Sequence, residues 1–257
     1  MKTIDLNCDL GEGGGQDAEL MPLITSANIA CGAHAGDAAT MRATVALAMR
    51  HGVAIGAHPG FADRANFGRV ELPLDAEAIT ALVVEQVTRL QEIAQAAGTA
   101  VRHVKLHGAL YNRVSRDQVL SDAVVRAVRA TERNPVLYVL AGSELERVAR
   151  QSPDFTVVPE AFADRTYQCD GTLTPRQRPD ALIHSPEAAA GQVRGIVREG
   201  LVRATDGTDV RLRAGTICVH GDAPGAAAML RALREALAAD GIELAAPWVA
   251  GHNRGAS

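Results

Sequence analysis

Between Ile4 and Asp9 apolar and polar residues alternate, with Ile4, Leu6 and Cys8 in one phase and Asp5, Asn7 and Asp9 in the other. Period two is the signature of a strand, and Gly11 ends it. Further apolar runs at Ser26–Ala33, Val53–Ala57, Val101–Leu106, Pro135–Ala141, Phe155–Pro159 and Thr216–Val219 each predict a strand. Between them the period becomes helical. Met41, Val45, Ala48 and Met49 lead to a stop at Gly52, and Ile79, Leu82, Val83, Gln86, Val87, Leu90 and Ile93 trace a long face ending at Gly98. Val119, Val124 and Val128 mark another helix, as do Met229, Leu230, Leu233 and Leu237. Asp37 and Asp75 are placed to cap helix starts, Ser143 and Glu146 form a capping box, and Ser185-Pro186-Glu187 opens a helix that runs to Gly200. Thr205-Asp206-Gly207-Thr208 predicts the tight turn of a small hairpin. After Pro247 no pattern remains, and a frayed tail is expected.

Seven strands alternating with helices along an undivided chain predict an α/β fold, a single barrel domain over residues 1–257. Closure into a ring of parallel strands removes the exposed edges, and it gathers the C-terminal strand ends at one mouth. Asp9, His34, His58, His107, Glu160 and His220 fall at six of those ends. One histidine there would be an ordinary packed residue, and Ile4–Glu12 alone would read as an edge strand with a wet face. Four histidines and two acids on one rim exceed what packing requires. Glycines around His34 allow close backbone approach to a ligand. The Phe61–Leu72 loop carries Asp63, Arg64, Asn66 and a Phe67-Gly68-Arg69 turn, and Glu160, Asp164, Arg165, Tyr167 and Asp170 crowd the loop after the sixth strand. Gly13-Gly14-Gly15 lacks the Lys and hydroxyl of a phosphate-binding loop and reads as a turn.

Composition narrows the function. A formal net charge of −4 offers no basic surface for nucleic acid or anionic lipid, and 3% aromatic residues offer no base-stacking platform. Cys8, Cys31, Cys169 and Cys218 lack CxxC spacing, and three lie in apolar runs as small fillers. There is no signal-like N-terminus and no membrane-length apolar run, so a soluble, cytoplasmic protein is expected.

The segments IDLNCDLGE, SANIACGAHAGD, AHPGF with FGR, HGALYN, FADRTY with DGTL, and CVHGD resemble, in order, the motifs of the LamB/YcsF family of bacterial 5-oxoprolinase A subunits. The resemblance runs from about residue 4 to about residue 240. Against the family pattern, the glycine-rich link after Glu12 is short, Leu106 replaces a common proline, and Cys169 replaces a common acid. The resemblance implies a distorted seven-stranded TIM-like barrel of the glycoside hydrolase and deacetylase type. It also implies ATP-dependent opening of 5-oxo-L-proline to L-glutamate, with Mg accompanying ATP, in a complex with B and C subunits. Such chemistry needs a base for water, for which Asp9 or Glu160 is expected, and cations for phosphoryl charge, for which Lys105 and Arg165 are expected. His58 and His107 would be acid–base or polarising groups. Asn7, Asn28, His34, Asp37, Tyr111, His220 and Asp222 would surround the substrate. Three other readings stay open. Lys105 and Arg165 would be ion-paired supports of the acids; Asp9 with two of His34, His58 and His107 would hold a divalent metal in a deacetylase-type amidohydrolase; or the chain would be a non-catalytic lactam-binding subunit.

Overall fold

The computed structural model describes residues 2–132 and 134–247. In chain order the elements are β1 (Lys2–Leu10), α1 (Asp17–Leu20), β2 (Ser26–Ala30), α2 (Ala38–His51), β3 (Ala54–His58), α3 (Ala76–Ala96), β4 (His103–Lys105), α4 (Gly108–Val114) and α5 (Gln118–Thr131). They continue with β5 (Val136–Leu140), α6 (Glu144–Ala149), β6 (Thr156–Phe162), α7 (Pro186–Glu199), β7 (Leu201–Arg203), β8 (Asp209–Arg211), β9 (Thr216–His220), α8 (Ala226–Ala239) and β10 (Ile242–Leu244). β1 to β6 and then β9 pair in parallel, and β9 returns to β1 through Asp5–Thr216 to Asp9–His220, closing the seven-stranded barrel. Outside that ring, β10 pairs with Lys2–Ile4, and β7 with β8 makes the expected antiparallel hairpin.

Barrels of this kind normally fill their interior with branched apolar side chains. Here the polar phase of β1 points inward, where Asp5, Asn7 and Asp9 are buried, and the apolar phase joins the surrounding core. Burying these groups is tolerable only because each is hydrogen-bonded. At the floor, Asp5 accepts from the hydroxyls of Thr25 (2.6 Å), Ser26 (2.7 Å), Tyr138 (2.9 Å) and Thr216 (2.5 Å). One layer up, His103 Nε2 donates to Asn28 Oδ1 (2.8 Å), Asn28 Nδ2 donates to Asn7 Oδ1 (2.7 Å), and Asn7 Nδ2 donates to Glu160 (2.9 Å). Burial pushes the Asp5 carboxyl up despite its four donors.

Several boundaries depart from the sequence reading. β2 stops at Ala30 because the backbone turns at Gly32, with φ of 90°. β4 has only three paired residues. β6 extends to Phe162, past the proline expected to end it: Pro159 supplies no N–H, but its carbonyl accepts from Gly215 (2.7 Å), so pairing continues. Glu160 therefore lies inside a strand and faces the lumen rather than the loop beyond it. Among the helices, Asp37 and Asp75 cap α2 and α3 as expected, accepting from the backbone N–H of Thr40 and Ala78. Met49 and Val119 are exposed, and the buried faces run instead through Met41, Val45 and Ala48 and through Leu120, Val124 and Val128. α1, α4 and β10 had no expected counterpart. The tail beyond Pro247 lies outside the described residues. No helix among the described residues is long and apolar enough to cross a membrane.

Gly56 on β3 tests the lumen packing. A Cβ there would stand 2.0 Å from His103 Nε2, and that ring is held by Asn28 and stacked on Tyr138 at 4.1 Å. Gly56→Ala is expected to lower stability by about 1–3 kcal/mol in urea denaturation; a midpoint equal to the parent's would mean that the lumen yields.

Candidate active site at the barrel mouth

Above the amide layer sits a buried ammonium. Lys105, on β4, brings Nζ within 2.7 Å of Asp9 Oδ1, 3.3 Å of Glu160 Oε1 and 3.0 Å of Cys218 Sγ. Burial alone would favour the neutral amine, but Asp9, Cys218 and Glu160 outweigh it and hold the lysine well above its ordinary value. The two carboxylates diverge. Burial works against ionised Asp9, yet His58 and Lys105 hold it well below the usual carboxylate range, whereas burial and the Asp9 charge push Glu160 up despite Lys105. Tyr111, on α4, donates to the second Glu160 oxygen at 2.9 Å. Glu160 is thus enclosed on all sides, and Asp9 is the carboxylate that reaches open space.

That space is a small cavity lined by Asp9, His58, Lys105, His107, Tyr111 and Phe162, with Arg69, Arg165, Arg176 and His220 toward the rim. Its free volume is about 30 Å³, enough for a water molecule but not for a five-membered ring. Arg165 donates to the carbonyls of Thr174 (2.5 Å) and Ala181 (3.4 Å), tying down the loop after β6; burial and Arg176 lower its pKa to about 10. His220 donates through Nδ1 to Asp164 (2.8 Å) and accepts through Nε2 from Arg176 (2.8 Å). Arg69 bridges to Asp222 at 2.5 Å.

Beside Asp9 lies an imidazole cluster. His34 and His107 stack at 3.7 Å with their planes 2° apart, and His58 stands edge-on to both. Glu12 joins them because Gly11, with φ of 72°, turns the chain at the end of β1. Its Oε1 lies 3.3 Å from His34 Nε2, 3.4 Å from His107 Nδ1 and 4.0 Å from His58 Nε2. The four residues offer ligand-capable atoms all within 4.8 Å of one another. Burial depresses His34 to about 3 and takes His107 well below its usual value, so both rings are neutral at pH 7. Glu12 is driven well above the carboxylate range by burial and then by Asp9.

The structure thus brings Asp9, His58, Lys105, His107, Arg165, Tyr111 and His220 onto one cavity, with His34 behind it. Asn7, Asn28 and Glu160 lie in the lumen below. Asp37 is exposed and engaged in capping α2, and Asp222 is paired outside with Arg69. The carboxylate that completes the histidine cluster is Glu12; Asp9, expected there, gives one oxygen to Lys105 and keeps the other 3.4 Å from His58 Nε2. Sequence reasoning also passed over Arg69 and Arg176 as site residues. Arg69 stood in a recognised turn, whereas Arg176 lies in an irregular polar loop with no local signal.

Fold and site together define a closed parallel barrel that concentrates carboxylate, ammonium, imidazole and guanidinium groups at the C-terminal ends of its strands, where barrel enzymes carry their chemistry. The chain belongs to the LamB/YcsF family, whose sequence model matches residues 4–250. It is 49% identical over 249 residues to the 5-oxoprolinase A subunit of Bordetella pertussis, spanning 95% of this chain and 98% of that protein. Identity to the 5-oxoprolinase A subunit of Brevibacillus brevis is 48% over 251 residues, spanning 96% and 98%. A lactam utilization protein from Thermus thermophilus has a crystal structure that superposes with a TM-score of 0.89 at 44% identity, covering 96% of this chain and 100% of that one.

Lys105→Met would leave two buried carboxylates without their cation, and the expected loss of stability is about 3–5 kcal/mol. Combining it with Asp9→Asn should cost less than the sum of the single losses by about 0.5–3 kcal/mol. A denaturation double-mutant cycle measures this, and strictly additive losses would contradict the pairing.

Proposed function

We propose that this mouth opens a five-membered lactam, converting 5-oxo-L-proline to L-glutamate as the A component of an ATP-dependent 5-oxoprolinase that includes B and C subunits. One coincidence carries the reading: an ionised cavity carboxylate, Asp9, is set against the Lys105 ammonium below three rim arginines, in a chain whose near full-length relatives are named as 5-oxoprolinase A subunits. The substrate pairs an anionic carboxylate with an amide whose resonance resists water. Arg165 and Arg176 are suited to the carboxylate, and Lys105 to the carbonyl oxygen or the phosphoryl group placed on it. The cavity is narrow, and outward movement of the Arg69 and Arg176 side chains at its rim would widen it for the ring.

ATP makes the carbonyl carbon attackable. Transfer of its γ-phosphoryl group to the lactam oxygen leaves an activated imidate and ADP. Water adds to that carbon while Asp9 takes its proton, and the carbon–nitrogen bond breaks as the nitrogen is protonated, giving the γ-glutamyl phosphate. A second water releases phosphate and glutamate, so ATP, 5-oxoproline and two waters balance against ADP, phosphate and glutamate. Asp9 is assigned the base because it is the only carboxylate lining the described cavity. His58 flanks it, with Nε2 3.4 Å from the second Asp9 oxygen, and Asp9 returns the proton it has taken to the departing nitrogen. Glu160 becomes a support for Lys105 and Tyr111.

Nucleotide binding is assigned to the assembled complex, with Mg entering as part of the ATP substrate. The Gly13–Gly15 turn lacks the Lys and hydroxyl that would neutralise and coordinate a triphosphate. ATP use and a metabolic substrate fit a cytoplasmic complex.

Glutamate and ADP release should require all three subunits, and Asp9→Asn in the reconstituted complex should lower turnover by about 10²–10⁴-fold. Full turnover by the isolated chain, or an Asp9→Asn complex within about twofold of the parent, would overturn the assignment.

A further inference from the structure

The imidazole cluster has an unusual arrangement of lone pairs. His58 Nδ1 lies 2.9 Å from the Lys105 carbonyl oxygen, and His107 Nε2 lies 2.9 Å from that of Phe67. A carbonyl only accepts, so each of these nitrogens carries the hydrogen, and the neutral ring keeps its lone pair on the opposite nitrogen. Those two nitrogens, His58 Nε2 and His107 Nδ1, face each other at 3.0 Å. Two acceptors at that distance repel unless something positive stands between them. One proton would satisfy that pair, and His34 Nε2 can donate to Glu12 Oε1 at 3.3 Å, yet these four atoms crowd within 4.8 Å of one another, an arrangement that a single cation at their centre satisfies at once.

We propose that Glu12, His34, His58 and His107 together bind one divalent transition-metal ion of the zinc class at the barrel mouth. Zinc–nitrogen bonds of 2.0–2.1 Å in a tetrahedron imply ligand-to-ligand edges of about 3.3 Å. Four of the cluster's six edges are 3.0, 3.3, 3.4 and 4.0 Å, and all lie within 4.8 Å. Three imidazoles and one carboxylate suit zinc, iron, nickel or cobalt and not magnesium or calcium, which take oxygen ligands. Backbone carbonyls orienting the non-ligating nitrogens of His58 and His107 supply the support such histidines require. The space is also built for the rings: a Cβ at Gly60 would come within 2.8 Å of His34 Nδ1, and one at Gly68 within 2.8 Å of His34 Cβ and 3.1 Å of His107.

This site is distinct from the ATP-borne Mg of the proposed reaction and does not depend on lactam chemistry. Because His58 and His107 also line the cavity, the ion would form part of its wall beside Asp9. The experiment uses untagged full-length chain stripped with chelator and dialysed, then titrated with zinc and separately with cobalt(II). Elemental analysis should give about one zinc per chain, cobalt should develop the visible absorption of a four-coordinate nitrogen–oxygen site, and zinc should raise the melting temperature. Glu12→Gln and His107→Ala should each weaken binding by at least about 10–100-fold. Asp37→Ala, a surface control, should bind as the parent does. Two results would overturn the proposal: parent protein that takes up no stoichiometric ion and shows no cobalt band, or undiminished binding in the folded Glu12→Gln and His107→Ala variants. Since none of these readouts is turnover, a negative result would leave the lactam reading standing, and an inactive complex would leave the metal site standing.

Discussion

A single buried ammonium organises this barrel. Lys105 enters the lumen from β4, the shortest strand of the ring, and holds Asp9 of β1 and Glu160 of β6 together across it. Two carboxylates so enclosed could not both ionise without a cation between them, and a lysine so enclosed would lose its proton without them. Each side makes the other tenable. The amide and hydroxyl layers below exist on the same terms, since Asn7 and Asn28 present their oxygens and N–H groups in the order that satisfies His103, Glu160 and Asp9.

From this constraint the mouth inherits its asymmetry. Glu160 receives donors from Asn7, Tyr111 and Lys105 and is closed to solvent, while Asp9 keeps one oxygen toward the cavity and His58. Two carboxylates that differ little in sequence context therefore acquire different electrostatic roles, one held ionised and the other pushed toward its protonated form. The rim arginines are less constrained. Arg69 and Arg176 hang on loops and are held by Asp222 and His220, contacts that a charged ligand can replace.

How much of this was legible in the sequence depended on how local each cause was. Alternation in β1 and the recurrence of acid or histidine after apolar runs are local, and they led to the closed barrel and its polar mouth. Asp37 and Asp75 were readable as caps because capping acts within one turn. Glu160 was misplaced because Pro159 looked like a strand end, and only pairing with β9 shows that the lost N–H is not missed. Glu12 joins the histidines through a backbone reversal at Gly11, and Arg176 reaches His220 across 44 residues of sequence. Neither leaves a periodic trace. β10 is three residues long and is defined only by the strand it joins.

The central claim is that the Lys105–Asp9 pair faces the reacting amide. A crystal structure of the chain soaked with 5-oxo-L-proline tests it most directly. The account predicts the ring at the mouth, its carboxylate against Arg165 or Arg176, its carbonyl oxygen within hydrogen-bond reach of Lys105 Nζ, and Arg69 and Arg176 displaced outward. A ring seated elsewhere on the barrel, or at the mouth with its carbonyl turned away from Lys105 and Asp9, would contradict it.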